Sequence, residues 1–371
     1  MTSVTRDNAA NGSGNSPRNF PPVQIPRFRD LPVDLLRGLA IALMVGANTV
    51  PFLLSPPVPY GIRILASLAA PLFIFLSGMM VALTRNKKQY DLRYYLVRGG
   101  AVVLIGAALQ VLAWGLVPFI DVDVLYLIGI SLPLAYLLLG VRPWIRRAII
   151  IAILCAAPVL GFVFGYAPLP AEIPLAQAAS GLGSLDLPSL LSYWFIDGWF
   201  PVFPWLAIAL LGAELGTIRW KGDGITSFVT GKFAAVGLGL VGTGIALWLL
   251  FPSPQLIRNG YVEIFYPPVP GFCLAVTGII LLLFILADLV AQNRLPDPLR
   301  AMGECSLAIY ILHSVIIAWC IAPSGFHVPL PQFLLCCLVF ISGMILFAYF
   351  LRHVRGSSVP RLFIVKLLIG G

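Results

Sequence analysis

Ten apolar runs of close to 20 residues recur along this chain, and each is long enough to cross a hydrocarbon core of about 30 Å. A backbone inside that core must satisfy its own hydrogen bonds, so such runs fold as helices. They fall at about 33–54, 61–84, 98–119, 122–141, 147–166, 200–218, 227–251, 268–290, 303–322 and 330–351. The expected fold is all-α, a polytopic membrane protein of about ten transmembrane helices.

Charge tests that count. With the N-terminus in the cytoplasm, 22 of the 24 Lys and Arg residues fall on the cytoplasmic side, and only Arg63 and Arg258 lie outside. Positive residues collect in cytoplasmic loops, and one helix more or fewer would invert every later loop and spoil the split. Both termini are therefore expected to be cytoplasmic. The net charge of +9 follows from topology; no soluble segment carries the basic patch with interleaved aromatics that nucleic-acid binding needs. Charged residues make up only 11% of the chain, against about a quarter in soluble domains, and a multi-pass protein of the cell membrane is expected, the cytoplasmic membrane in a bacterium.

Residues 1–30 are rich in Asn, Ser, Gly, Pro and Arg and lack the apolar centre of a signal peptide; they read as a disordered cytoplasmic tail. Residues 31–355 read as one transmembrane domain and 356–371 as a cytoplasmic C-terminal tail. All six cysteines fall inside spans without metal-ligand spacing, which makes them packing residues and leaves no metal expected. No P-loop or Gly-rich nucleotide motif is present, which argues against nucleotide hydrolysis.

Polar residues at apolar depth carry the functional signal. Arg37 and Asn48 lie eleven residues apart in the first span, about three turns and roughly 16 Å, so both face one way, with Asp34 a turn below. An Asp34–Arg37 ion pair of purely structural value is the alternative. In the ninth span Ser306, Tyr310 and His313 follow at spacings of four and three, which stacks them on one helix face. His313 is either interhelical glue or a general base near neutral pH. His327 falls in a short outer loop and His353 at the cytoplasmic end.

Two loops add candidates. The inner segment Arg85 to Arg98 gathers five cations beside two helix ends. They can hold phosphates or be ordinary positive-inside charge; Arg93 and Arg98 are better suited than the lysines, because a guanidinium grips phosphate bidentately. On the outer side the run Tyr193-Trp194-Phe195-Ile196-Asp197-Gly198-Trp199-Phe200 is either an interfacial belt or a rim facing a sugar or lipid. Asp197 in that run is either a solvated carboxylate or a partner for acceptor hydroxyls.

The stretch Asp34-Leu35-Leu36-Arg37-Gly38-Leu39-Ala40, continuing to Met44 and Asn48, resembles the first-helix signature of the heparan-alpha-glucosaminide N-acetyltransferase catalytic family, a branch of the transmembrane acyltransferase superfamily. Ala70-Pro71-Leu72-Phe73-Ile74-Phe75-Leu76-Ser77-Gly78, Val124-Leu125-Tyr126-Leu127-Ile128-Gly129-Ile130, Phe200-Pro201-Val202-Phe203-Pro204-Trp205, Leu211-Gly212 and Tyr310-Ile311-Leu312-His313 follow in the family's order, over about residues 33–315. The resemblance implies an enzyme that passes an acyl group, commonly acetyl, from cytoplasmic acyl-CoA to a sugar amine or hydroxyl on the other side. That branch uses a histidine of the first outer loop as its base, and the loop from Thr49 to Tyr60 has none. The proton acceptor must then be His313, a carboxylate such as Asp197, or the acceptor amine itself.

The expected mechanism holds CoA phosphates at Arg37, Arg93 and Arg98, steadies the thioester carbonyl with Asn48, and deprotonates the acceptor with His313. Tyr310, Asp197 and Trp199 would contact the acceptor, a saccharide or glycolipid. Glu214 and Glu304 near inner helix ends would line the path for CoA, with Glu304 turned away from His313 on its helix. Self-association is left open. The rival readings are a transporter or flippase of similar topology and a catalytically inactive relative.

Overall fold

The structure, a computed structural model, describes residues 29–166, 172–179, 186–222, 224–252, 256–258, 261–291 and 297–356. All but the last two residues of the expected N-terminal tail, and the C-terminal tail beyond Gly356, lie outside them. The described chain forms α1 (Leu31–Leu53), α2 (Tyr60–Lys88), α3 (Leu92–Leu112), α4 (Val124–Leu139), α5 (Pro143–Phe164), α6 (Leu187–Ser192), α7 (Val202–Arg219), α8 (Gly231–Leu250), α9 (Pro270–Ala291), α10 (Asp297–Glu304), α11 (Ser306–Ile316) and α12 (Leu330–Gly356). A two-residue antiparallel pair, β1 (Ile257–Arg258) and β2 (Tyr261–Val262), lies between α8 and α9. Among the described residues nine helical runs are long and apolar enough to span a bilayer, and α4 is a shorter tenth apolar helix. The fold is all-α and polytopic, with each expected span on one of these ten.

Two boundaries differ from the sequence reading. The third helix begins at Leu92 rather than near residue 98, because Asp91 caps it by accepting the Tyr94 N–H at 3.1 Å. The ninth run is broken: the non-helical backbone at Cys305 separates the short amphipathic α10 from α11. Beyond Ile316 the chain continues through a π-helical turn, Ile317–Ile321, and a 3-10 turn, Ala322–Ser324.

Close helix crossings set the site's scaffold. A Cβ on Gly38 of α1 would run into the Leu299 carbonyl of α10, and one on Gly303 of α10 into the Asp34 carbonyl of α1. The same reciprocity joins α2 and α7, where Gly78 meets the Ala209 carbonyl and Gly212 the Phe75 carbonyl. Small residues let backbones approach this closely in membranes, where packing rather than water exclusion drives association. Four glycines of the sequence motifs are thus helix-crossing or core contacts: Gly38, Gly78, Gly212, and Gly129 against Gly99. Around them lie fully buried Trp205, Tyr126, Phe75 and Phe284.

Gly78→Val is expected to destabilise the bundle by about 1–3 kcal/mol or more, since the obstruction is backbone on both sides. Gly46 has open space where a Cβ would sit, so Gly46→Ala should be neutral. Fluorescence-detected size exclusion after heating would separate the two; equal melting of both variants would show that the α2–α7 crossing can relax.

Candidate functional site

Polar pairs join α1 to α11. Arg37 Nη2 donates to the Ser306 hydroxyl at 2.8 Å, and Asn48 Nδ2 lies 3.1 Å from His313 Nε2. Eleven residues separate the α1 members and seven the α11 members, about 16 Å and 10 Å of rise; the long arginine side chain takes up the difference. Ser306 and His313 are buried, while Arg37 and Asn48 are half-buried.

The hydrogen bonds fix the imidazole's tautomer. His313 Nδ1 lies 3.1 Å from the Ile309 carbonyl oxygen, which only accepts, so Nδ1 carries the proton. In the neutral ring Nε2 is then a bare acceptor, filled by an amide N–H of Asn48. Both imidazole nitrogens are engaged, and the second amide N–H of Asn48 remains for another acceptor.

Tyr310, one turn before His313, packs edge-on against its ring with centroids 5.1 Å apart. Its hydroxyl donates to Asp123 Oδ2 at 3.3 Å, while Asp123 Oδ1 accepts the Val124 N–H at 2.7 Å and caps α4. Asp123 is half-buried just before α4 begins; burial pushes its carboxyl above the usual carboxylate range, and the two hydrogen bonds only partly offset this. Sequence reasoning did not single it out. The signal was an acidic residue next to an apolar run, the position of a helix cap.

The aromatic run folds back onto the segment that carries Asp123. Phe200 N–H donates to the Val122 carbonyl at 2.8 Å, Trp199 N–H to Asp121 Oδ1 at 3.1 Å, and Trp194 Nε1 to the Phe119 carbonyl at 2.8 Å. Trp194 also stacks on Tyr126, whose hydroxyl donates to Gln110 Oε1. Trp199 donates its indole N–H to Glu172 at 3.0 Å. Asp197 is buried, accepting the Tyr266 hydroxyl on its carboxylate and its backbone carbonyl. Asp197 and Trp199 therefore sit in the framework behind Asp123, whereas Asn48, Tyr310 and His313 are brought together with it.

Among the described residues at the opposite end of the bundle, most cations are engaged within the protein. Arg146 and Arg147 share Glu214; Arg352 bridges Asp297 and Glu304, and Arg300 also reaches Glu304. The Arg352 guanidinium holds the Asp297 carboxyl below its usual range. Arg85 donates to the Tyr136 carbonyl at 3.0 Å, and Lys87 to that of Gly222. Arg93 stands exposed in the first turn of α3, and half-buried Arg98 reaches only the Tyr94 hydroxyl among the described residues, at 3.3 Å. Among the described residues no cluster of three His, Cys, Asp or Glu side chains could hold a metal.

Comparison with known families matches residues 29–239, more than half of the chain, to the family described as heparan-alpha-glucosaminide N-acetyltransferase, catalytic. The match takes in Arg37, Asn48 and Asp123 and ends before α11, which brings Ser306, Tyr310 and His313. No curated protein matches the chain.

Proposed function

This chain belongs to the heparan-alpha-glucosaminide N-acetyltransferase catalytic family, and on that premise we propose that it moves an acyl group, acetyl first of all, from cytoplasmic acyl-CoA to an amine or hydroxyl of a saccharide or glycolipid at the outer face of the cell membrane. The observation that carries this reading is the Asn48–His313 pair at 3.1 Å with the Asp123–Tyr310 pair beside it. These groups lie on the outer half of the bundle in the orientation set by charge, above the Arg37–Ser306 pair.

The residues fit the demands of CoA. Arg93 and Arg98 offer guanidinium donors to phosphates on the cytoplasmic side, and Arg37 and Asn48 stand half-buried about 16 Å apart along α1. When bound, acyl-CoA supplies the acyl group activated as a thioester. Asn48 directs its remaining amide N–H at the carbonyl oxygen where negative charge develops; such a donor in a dry site contributes about 2.7–4 kcal/mol. His313 acts as a positioning residue, holding Asn48 through Nε2 while Ile309 fixes the ring. Asp123, half-buried and held by Tyr310, takes the proton from the acceptor as the acyl carbon–sulfur bond breaks, and that proton leaves with CoA as its thiol. This assigns to a carboxylate the role filled by the outer-loop histidine that the chain lacks.

The test is label transfer from acetyl-CoA to a panel of amino sugars and glycolipids by the protein in nanodiscs, with CoA release followed in parallel. Acceptor-dependent product supports the proposal; absence of CoA binding, CoA release and product across the panel overturns it. Arg93→Ala should raise the KM for acetyl-CoA by about tenfold, the loss of a charge-assisted hydrogen bond, with kcat nearly unchanged. An unchanged KM would remove Arg93 from phosphate binding.

A further inference from the structure

The two outer cations are the exceptions to the charge rule, and Arg63 has a setting the acyl-transfer reading does not use. It stands in the first turn of α2, at the mouth of a cavity of about 630 Å³ between α2, α8 and α9. The walls are apolar over about 10 Å, the rise from Phe272 to Ile279. Ile64, Leu65 and Leu249 on its rim are exposed, so the cavity opens toward lipid.

Besides the polar tips of Tyr60 and Trp248, the polar side chains that line this cavity are Arg63, Ser67 and Glu263. Ser67 spends its hydroxyl proton on the Ile64 carbonyl at 2.9 Å. The Arg63 guanidinium lies over the Tyr60 ring, 5.4 Å from its centroid, and its buried Nε has no hydrogen-bond partner. A guanidinium left with its donors open beside an apolar, lipid-facing groove suits a phosphate ester, which it binds bidentately. Glu263 is buried and engaged within the protein, yet a carboxylate accepts about four hydrogen bonds and retains capacity for an ammonium. Its negative charge disfavours a headgroup with net negative charge.

We propose that this cavity binds a zwitterionic aminophospholipid of the outer leaflet, with its phosphate on Arg63, its primary ammonium toward Glu263 and one acyl chain along Leu68, Ile245, Trp248 and Ile279. The lipid wedges between α8 and α9 on one side and α2 on the other. The site is separate from the Asn48–Asp123 cluster, and its test does not depend on acyl transfer.

Delipidated full-length protein in detergent is titrated with phosphatidylethanolamine, phosphatidylglycerol or inorganic phosphate, and bound lipid is counted by native mass spectrometry alongside the melting temperature. The expected result is one phosphatidylethanolamine per chain, a rise in melting temperature, and at least about tenfold weaker binding in Arg63→Ala. Arg63→Lys should retain part of the affinity, and Glu263→Gln should shift preference toward phosphatidylglycerol. Ile245→Trp, a change at an exposed groove residue that leaves the fold intact, should block the lipid while keeping Arg63. Equal binding by wild type, Arg63→Ala and Ile245→Trp, stronger binding of phosphatidylglycerol by the wild type, or full stabilisation by inorganic phosphate alone would overturn the proposal.

Discussion

Asn48→Ala is expected to lower kcat for acyl transfer by roughly 10²–10³, the cost of losing one preorganised donor to a developing oxyanion, with the KM for acyl-CoA little changed. The change removes two things at once: the amide N–H aimed at the carbonyl and the group that fills His313 Nε2. Asn48→Gln keeps an amide but moves it by one methylene, so partial activity is expected. Asn48→Asp should not rescue, because an ionised carboxylate has no N–H to offer the developing oxyanion. The informative comparison is the double variant. If His313 works by holding Asn48, Asn48→Ala combined with His313→Ala loses no more than the worse single change, since the two residues act as a unit. If instead His313 is the proton acceptor, the losses multiply and His313→Ala alone removes the acid limb of the pH–rate profile. Single-turnover rates over a pH series, with protein amounts normalised by size exclusion, separate these outcomes.

The pattern of apolar runs and the cation distribution made the bundle legible, because hydrophobic length and loop charge are local properties. Helix starts were less so. Arg93 read as a loop cation and Arg98 as the first residue of the third span, yet the cap at Asp91 puts Arg93 in the first turn of α3, since Asp91 satisfies an orphan N–H and starts the helix there. The eight-residue α10 was hidden for the opposite reason: it is too short to show a period, and its place against α1 depends on two glycines 265 residues apart in sequence, Gly38 and Gly303. In the site, each stripe followed from helical spacing alone, Arg37 with Asn48 and Ser306 with His313. That the two stripes face one another is tertiary and could not be read from either. Asp197 illustrates the limit from the other side. It looked like an acceptor contact among outer aromatics, but Tyr266, 69 residues later, covers it.

Asp123 carries the second large prediction. Asp123→Asn keeps the size of the side chain; its amide oxygen can still accept the Val124 N–H while its amide N–H donates to the Tyr310 hydroxyl oxygen, so the folded bundle should persist. What is lost is the capacity to take a proton. Removing a general base costs about 10²–10⁴ in rate, and this loss should fall on kcat with acetyl-CoA binding retained. Burial holds the Asp123 carboxyl above the range of an exposed aspartate, so wild-type kcat/KM should fall on acidification at a higher pH than an exposed carboxylate would give, as the base becomes protonated. Asp123→Asn should be slow at every pH and lack that limb. Tyr310→Phe should shift the limb upward, because it removes a hydrogen bond that favours the charged carboxylate. The acceptor offers a further discrimination: an amine that is already deprotonated needs a base less than a hydroxyl does, so the deficit of Asp123→Asn should shrink for amines as pH rises and persist for hydroxyl acceptors. Initial rates from pH 5 to 9 with matched amino and hydroxy sugars would read this, and wild-type rates in Asp123→Asn with a hydroxyl acceptor would exclude the carboxylate as the base.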